Sequence, residues 1–304
     1  SGSASIKSAH TSTALGANTG KAFSMGNSVT FTGGGELDNG LNVSVSFELD
    51  QGAANNSAVT TDGVVAANTG AVFDSHSVTV SSDALGSLTF AGHGGDSAQS
   101  AVKDMTGKIW DYQGTNQKAV ASSSSNNMML YTLPSVIDGV SVSASYVPKG
   151  AAATQWASAT DVAIAYTGVE GLTVGYALGE KNATEATVGD VDTWYAKYAY
   201  GPVTVAYTET EFASKADASD REFEAMSVAY AVSENISVSY GTSENTQNTT
   251  AASATNTPEE VTGITASYTM GGMTLSGAMI DIKNQGFVSG TKEEAWELAL
   301  AFAF

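Results

Sequence analysis

The 304-residue chain has no cysteine, four prolines and a single arginine among only 12 basic residues. Without thiols there is no disulfide framework, no thiolate metal site and no cysteine nucleophile. With so little proline, extended segments can run without losing ladder hydrogen bonds. The 12 cations stand against 31 Asp and Glu, for a net charge of −19. That balance excludes nucleic acid as a partner, because phosphates require clustered Lys and Arg. Long apolar runs are missing too. No stretch of about 18 apolar residues occurs, so no transmembrane helix is expected. Strands remain a way to cross a bilayer, since each needs only about ten residues, alternately apolar and polar. A mean hydropathy of −0.04 is what such alternation averages to. The opening Ser1-Gly2-Ser3 carries no basic-then-apolar leader, and any signal peptide is expected to have been removed.

What the chain does have is period-two alternation. Leu41, Val43, Val45, Phe47 and Leu49 share one face, with Asn42, Ser44, Ser46 and Glu48 on the other. Val140, Val142, Ala144 and Tyr146 repeat the pattern, as do Leu172, Val174, Tyr176 and Leu178, and Val203, Val205 and Tyr207. Short connections rich in Gly, Asn, Asp or Pro join these strands at one end, namely Glu36–Gly40, Asp83–Ser87, Ile137–Gly139, Val169–Gly171, Tyr200–Pro202, Val232–Asn235 and Met270–Gly272. The other ends are joined by long polar loops, Leu15–Ala22, Asp50–Asp74, His93–Asn127, Val147–Thr160, Gly179–Asp192, Glu211–Asp220, Thr242–Glu259 and Ile282–Lys292. Seven hairpins and two single end strands make sixteen. The pattern predicts one all-β domain over residues 1–304, a 16-stranded antiparallel barrel.

A soluble sandwich would alternate as well. The polar face argues against it, being mostly Ser, Thr, Ala and Gly, suited to a wet lumen. The apolar face is nearly free of charge, and Tyr146, Tyr166, Trp194, Tyr198, Tyr207, Tyr230, Tyr240 and Tyr268 gather near strand ends, as an interfacial girdle requires.

The last strand is the sharpest feature. In Glu294–Phe304 the side chains of Trp296, Leu298, Leu300, Phe302 and Phe304 all project to one face. In a soluble protein this would be an aggregation-prone edge. The strand resembles the C-terminal recognition strand of outer-membrane porins, which the barrel-assembly machinery reads. The likeness extends along the chain. Ser1-Gly-Ser-Ala-Ser-Ile-Lys7 is similar to a first strand that pairs with the last. Gly34–Asn42 is similar to the first periplasmic turn, and Leu85–Gly92 to the fifth strand, which enters the third loop. Sixteen strands with the longest loop third resemble the Gram-negative general porins of alphaproteobacterial type. That resemblance implies a homotrimer of water-filled pores in the outer membrane, each narrowed by its third loop folding inward over residues 94–127.

The same resemblance puts acidic groups on the third loop opposite a basic wall, with a transverse field that sets selectivity. The loop supplies Asp96, Lys103, Asp104, Lys108, Trp110 and Asp111. The family's wall arginines are missing, and the wall candidates at lumen phase are Lys7, Glu48 and His93. Most acids fall in the expected outer loops, among them Glu180, Asp190, Asp192, Glu211, Asp220, Glu244, Glu259, Glu260, Glu293 and Glu294. There they could share structural calcium with lipopolysaccharide phosphates and enrich cations at the pore mouth. No cofactor and no catalysis are expected. Gly92-His-Gly-Gly-Asp96 lacks the Gly-x-Ser-x-Gly elbow that would supply a nucleophile, and His10, His76 and His93 share no metal-ligand spacing. The expected function is a passive channel for small hydrophilic solutes and ions with mild cation preference. The rivals are a nutrient- or anion-preferring channel on the same barrel and, less favoured, an outer-membrane adhesin.

Overall fold

The structure, a computed structural model, describes residues 1–13, 19–50, 73–107, 119–122, 126–148, 158–181, 188–215, 220–248 and 257–304. Alternating residues lay down sixteen strands among them. These are β1 (Gly2–Thr13), β2 (Thr19–Glu36), β3 (Asn42–Asp50), β4 (Phe73–Ser82), β5 (Gly86–His93), β6 (Met128–Thr132), β7 (Val140–Val147) and β8 (Ala159–Val169). The second half is β9 (Leu172–Lys181), β10 (Gly189–Tyr200), β11 (Val203–Ser214), β12 (Asp220–Ala231), β13 (Ile236–Asn248), β14 (Glu259–Met270), β15 (Met273–Lys283) and β16 (Lys292–Ala303). Each strand pairs antiparallel with its sequence neighbour, and β1 pairs with β16 from Ser3 opposite Ala303 to Thr13 opposite Glu293. Gly2 and Phe304 exchange backbone hydrogen bonds at the seam, of 2.7 and 3.0 Å. The sheet therefore has no free edge, which a bilayer demands because it cannot hydrate unpaired backbone groups.

Apolar side chains point out. Ile264, Val228, Leu298, Phe302 and Phe90 are all exposed on the outer face. The inner positions between them carry mostly Ser, Thr, Ala and Gly. Tyr166, Tyr198, Tyr230 and Tyr268 stand on the outer face towards the short turns, which suits the interfacial girdle. At one of those turns Gly171 adopts φ +74°, and a Cβ there would lie 2.2 Å from the Ala199 carbonyl oxygen. No helix among the described residues is long and apolar enough to cross a membrane.

One expectation is corrected. The strands run further than the apolar residues do. β11 continues to Ser214 and β13 to Asn248, so Glu211, Glu244 and most of the acids expected in loops lie on strands. The alternation keeps its phase above the apolar band, with carboxylates replacing the aliphatic side chains. Loss of hydrophobicity looks like the end of a strand, although the backbone ladder goes on. Asp192 sits opposite Glu211, Glu211 opposite Glu222, Glu209 opposite Glu224 and Glu224 opposite Glu244, all at outward positions. Carboxylate oxygens of Glu209, Glu211 and Glu222 approach within 4.8 Å of one another.

Candidate permeation pathway

The interior is built from the inward positions of two unlike walls and the loop between β5 and β6. Along β1 to β5 the inward side chains include Ser5, Lys7, Ser46, Glu48, Ser75, Ser77, Thr79, Ser87 and Thr89, all half-buried. The apolar side chains at inward positions there are small, as at Ala9 and Ala91. Lys7 and Glu48 are the charges among these inward side chains. Lys7 Nζ lies 2.8 Å from Glu297 on β16, and Glu48 accepts a hydrogen bond from the Ser75 hydroxyl at 3.3 Å.

The opposite wall, β7 to β12, is dry. Its inward Ser145, Asp161, Thr193, Thr208 and Thr210 are at most 4% exposed. The loop covers them. After Gly94 the chain turns inward, makes one short 3-10 turn at Ser100–Val102, and lies against the wall. Five hydrogen bonds among the described residues join loop to wall. Ala98 N–H donates to Ser145 Oγ (3.0 Å), Gln99 Nε2 to Thr193 Oγ1 (2.8 Å) and Met105 N–H to Thr208 Oγ1 (3.1 Å). Thr210 donates to the Lys103 carbonyl (3.2 Å), and Ser122 to the Asp161 carboxylate (2.5 Å). At about 1 kcal/mol each, and more for the charged one, the latch is worth on the order of 5 kcal/mol. Small loop residues pack against the wall. Ala98 packs on Ala163 and Ala177, Ala119 on Phe223 and Ala225, and Val120 on Val191 and Phe212. Gly179 is required here, because a Cβ would lie 2.7 Å from both the Ser122 Cβ and Asp161 Oδ1.

Of the loop residues singled out from sequence, Lys103 donates to its own loop's Ser100 carbonyl at 3.1 Å, and Asp104 accepts from the Thr106 amide and hydroxyl. Asp96 is exposed at the loop's start. Lys108, Trp110 and Asp111 lie outside the described residues. Lys7 and Glu48 face the lumen, whereas a bulge at Gly92 breaks the alternation of β5. There His93 pairs with outward-phase His76, and its Nδ1 donates to the Asp74 carbonyl. Trp296, Leu298, Leu300 and Phe302 occupy outward positions of β16, with Phe304 at its end.

The structure also brings two cations into the lumen that sequence reading did not place there, Lys181, expected in a loop, and Arg221, expected just past one. Lys181 Nζ lies 5.5 Å from the centre of the Phe212 ring, and the Arg221 guanidinium 5.6 Å from that of Phe287. Phe212 and Arg221 are directly paired across β11 and β12. The available signal was phase, since Lys181 and Arg221 fall on the same parity as the inward residues of their strands.

This architecture has close counterparts among solved structures. An anion-selective porin from Comamonas acidovorans superposes with a TM-score of 0.73 at 14% identity, covering 100% of this chain and 98% of that one. OmpF of Salmonella typhi, in complex with daunomycin, gives 0.70 at 12% identity over 99% and 97% of the two chains. A mutant of Rh. blastica porin gives 0.67 at 16% identity over 100% and 99%. Such low identities speak for the fold alone. No curated protein sequence matches the chain. At the sequence level, the model of the Gram-negative porin family matches residues 1–257, and with a closed barrel, an inward loop and a hydroxyl-lined wall behind that match, the chain belongs to that family.

Proposed function

We propose that the protein is an outer-membrane channel through which small hydrophilic solutes and ions diffuse passively. The observation that carries this reading is the contrast between the dry, loop-clad wall and the half-exposed hydroxyl wall of β1 to β5. A loop latched to one side leaves a polar passage along the other. Hydroxyls can replace part of a solute's hydration without holding it, which suits diffusion rather than binding. Conductance of the purified protein in planar bilayers tests this. Stable ohmic steps support it, and a protein that inserts without conducting overturns it.

The assembly we propose is a homotrimer, in which conductance steps arrive in threes. The outer face of β1 to β5 supports it, since the paired carboxylates that crown β9 to β14 are missing there among the described residues. Mild cation preference is the selectivity we propose, because the rim carboxylates raise the local cation concentration near the mouth. The anion-preferring alternative draws on Lys181 and Arg221 inside the lumen. The sign of the reversal potential in a salt gradient decides between them.

The outward acids support a further part of the reading, contact with lipopolysaccharide through shared divalent cations. Like charges directly opposite on neighbouring strands repel, and hard cations with oxygen ligands relieve that repulsion. Magnesium or calcium should raise the thermal midpoint of the wild type, and a Glu209→Gln, Glu211→Gln, Glu222→Gln variant should respond less. Equal responses would remove this contact from the reading. The barrel-assembly machinery is the proposed reader of the last strand, and Phe304→Ser should lower the yield in outer membranes.

A further inference from the structure

Gln99 is completely buried and uses its whole amide. Its Nε2 donates to the Val120 carbonyl (3.2 Å) and to Thr193 Oγ1 (2.8 Å), while Oε1 accepts from the Ser122 amide (2.8 Å). These partners belong to three different pieces of the molecule. Gln99 is on the limb of the loop that enters the lumen, Val120 and Ser122 are on the limb that returns, and Thr193 is on β10. Thr193 is bonded in turn to Thr210 (2.9 Å), which holds the Lys103 carbonyl. Ser122 reaches the Asp161 carboxylate and the Ser97 hydroxyl, and Ser97 reaches Ser100. Among the described residues the Ser122 hydroxyl also reaches both limbs and the wall, through Ser97 and Asp161, whereas the bonds of Ala98, Lys103 and Met105 to the wall tie down the entering limb alone. Gln99 joins the two limbs to each other and to β10 with three bonds and both ends of its amide.

We propose that Gln99 is a positioning residue for permeation, the side chain that fixes how far the loop stands from the wall and so sets the aperture of the channel. This rests on the diffusion-channel reading above. Its chemistry is specific to a primary amide. A carboxylate at this position could accept from Ser122 but could not donate to the Val120 carbonyl. A methionine would fill the volume and make none of the three bonds. Truncation leaves the Ser122 amide N–H and the Val120 carbonyl without their Gln99 partner and the Thr193 hydroxyl with Thr210 alone, and a buried polar group left unpaired shifts a local equilibrium by roughly tenfold or more. The expected result is a loop that leaves its docked position far more often, with the barrel intact behind it.

The test compares wild type, Gln99→Ala, Gln99→Met and Thr193→Val by single-channel recording and by entry of sugars of graded size into liposomes. Heat-dependent mobility on gels serves as a check on barrel formation. Gln99→Ala and Gln99→Met should both show a changed unit conductance, stronger open-channel noise and a shifted size limit. Thr193→Val, which loses one of the three bonds, should fall between them and wild type. Gln99 variants with wild-type conductance, noise and size limit would overturn the proposal and leave the channel reading standing. If the Gln99 variants do not assemble, Thr193→Val decides alone, because it removes one hydroxyl and no volume; wild-type behaviour there overturns the proposal. A wild type that does not conduct at all would instead sink the channel reading itself.

Discussion

The inner faces of β1 to β5 and of β7 to β12 are made of the same kinds of residue and do opposite things. Ser77 and Thr79 on β4 are half-exposed, whereas Thr193 and Thr208 on β10 and β11 are 1% and 0% exposed. The difference does not lie in the hydroxyls. It lies in what faces them, water on one side and a returning loop on the other. A hydroxyl beside open water contributes little to stability, because it exchanges one hydrogen-bond partner for another. A hydroxyl under the loop holds a polar group of the loop, as Thr208 holds the Met105 amide, and its removal takes away a partner that water does not readily replace. Wall composition therefore makes a lumen possible, and loop docking decides which part of it conducts.

The comparison can be broken most forcefully at Asp161. Its carboxylate accepts the Ser122 hydroxyl and the Glu180 amide. Asp161→Ala should cost about 2–3 kcal/mol, since the Glu180 amide loses its carboxylate and the Ser122 hydroxyl keeps only Ser97, and it should lower the urea midpoint while increasing current noise. An unchanged midpoint would mean that the dry wall is not held by its loop. Gly179→Val attacks the same contact by volume rather than by charge. Overpacking costs about 1–3 kcal/mol, and a limb pushed off the wall into the lumen should lower unit conductance. A rise in conductance would mean that the displaced limb leaves the lumen instead of narrowing it.

A sharper form of the comparison uses one chemistry on both walls. Thr208→Val removes the acceptor of the Met105 amide and should destabilise by about 1 kcal/mol. Ser77→Ala on the open wall should stay within about 0.5 kcal/mol. Equal effects in thermal unfolding would erase the distinction between the walls. The smallest expected effect is at Lys7. Its pair with Glu297 is partly exposed and screened by salt, so Lys7→Met should leave stability nearly unchanged. It should move the reversal potential towards cation selectivity, because Glu297 then faces the lumen unopposed.

Strand count and barrel class were legible because Val43, Val45 and Phe47 alternate with serines, and because each short turn is marked by Gly, Asn or Pro. The strands' outer ends were not. At Tyr207, Glu209 and Glu211 the phase persists while the hydrophobic signal vanishes, so periodicity measured by apolarity stops before the hydrogen-bond ladder does. Loop docking was hidden for a different reason. Thr193 and Thr208 read like Ser77 and Thr79, and nothing local tells a wet hydroxyl from one that holds a buried amide. Gln99 and Asp161 were overlooked on the same ground, since their roles depend on partners tens of residues away. Lys7 and Glu48 were found because a charge at lumen phase within an apolar strand is visible in itself.

The seam between Gly2 and Phe304 has a consequence in time. Every other pairing in the barrel joins strands adjacent in the chain and can form as soon as both have been synthesised. This one joins residues separated by nearly the full length of the protein, the most non-local contact available to it. Until it forms, a chain with fifteen strands in place still has two raw edges, and in lipid each unpaired backbone group costs several kcal/mol. Closure is thus the last event rather than a gradual one. A chain stopped even one strand short is no slightly weaker barrel but an open sheet that must be shielded or destroyed.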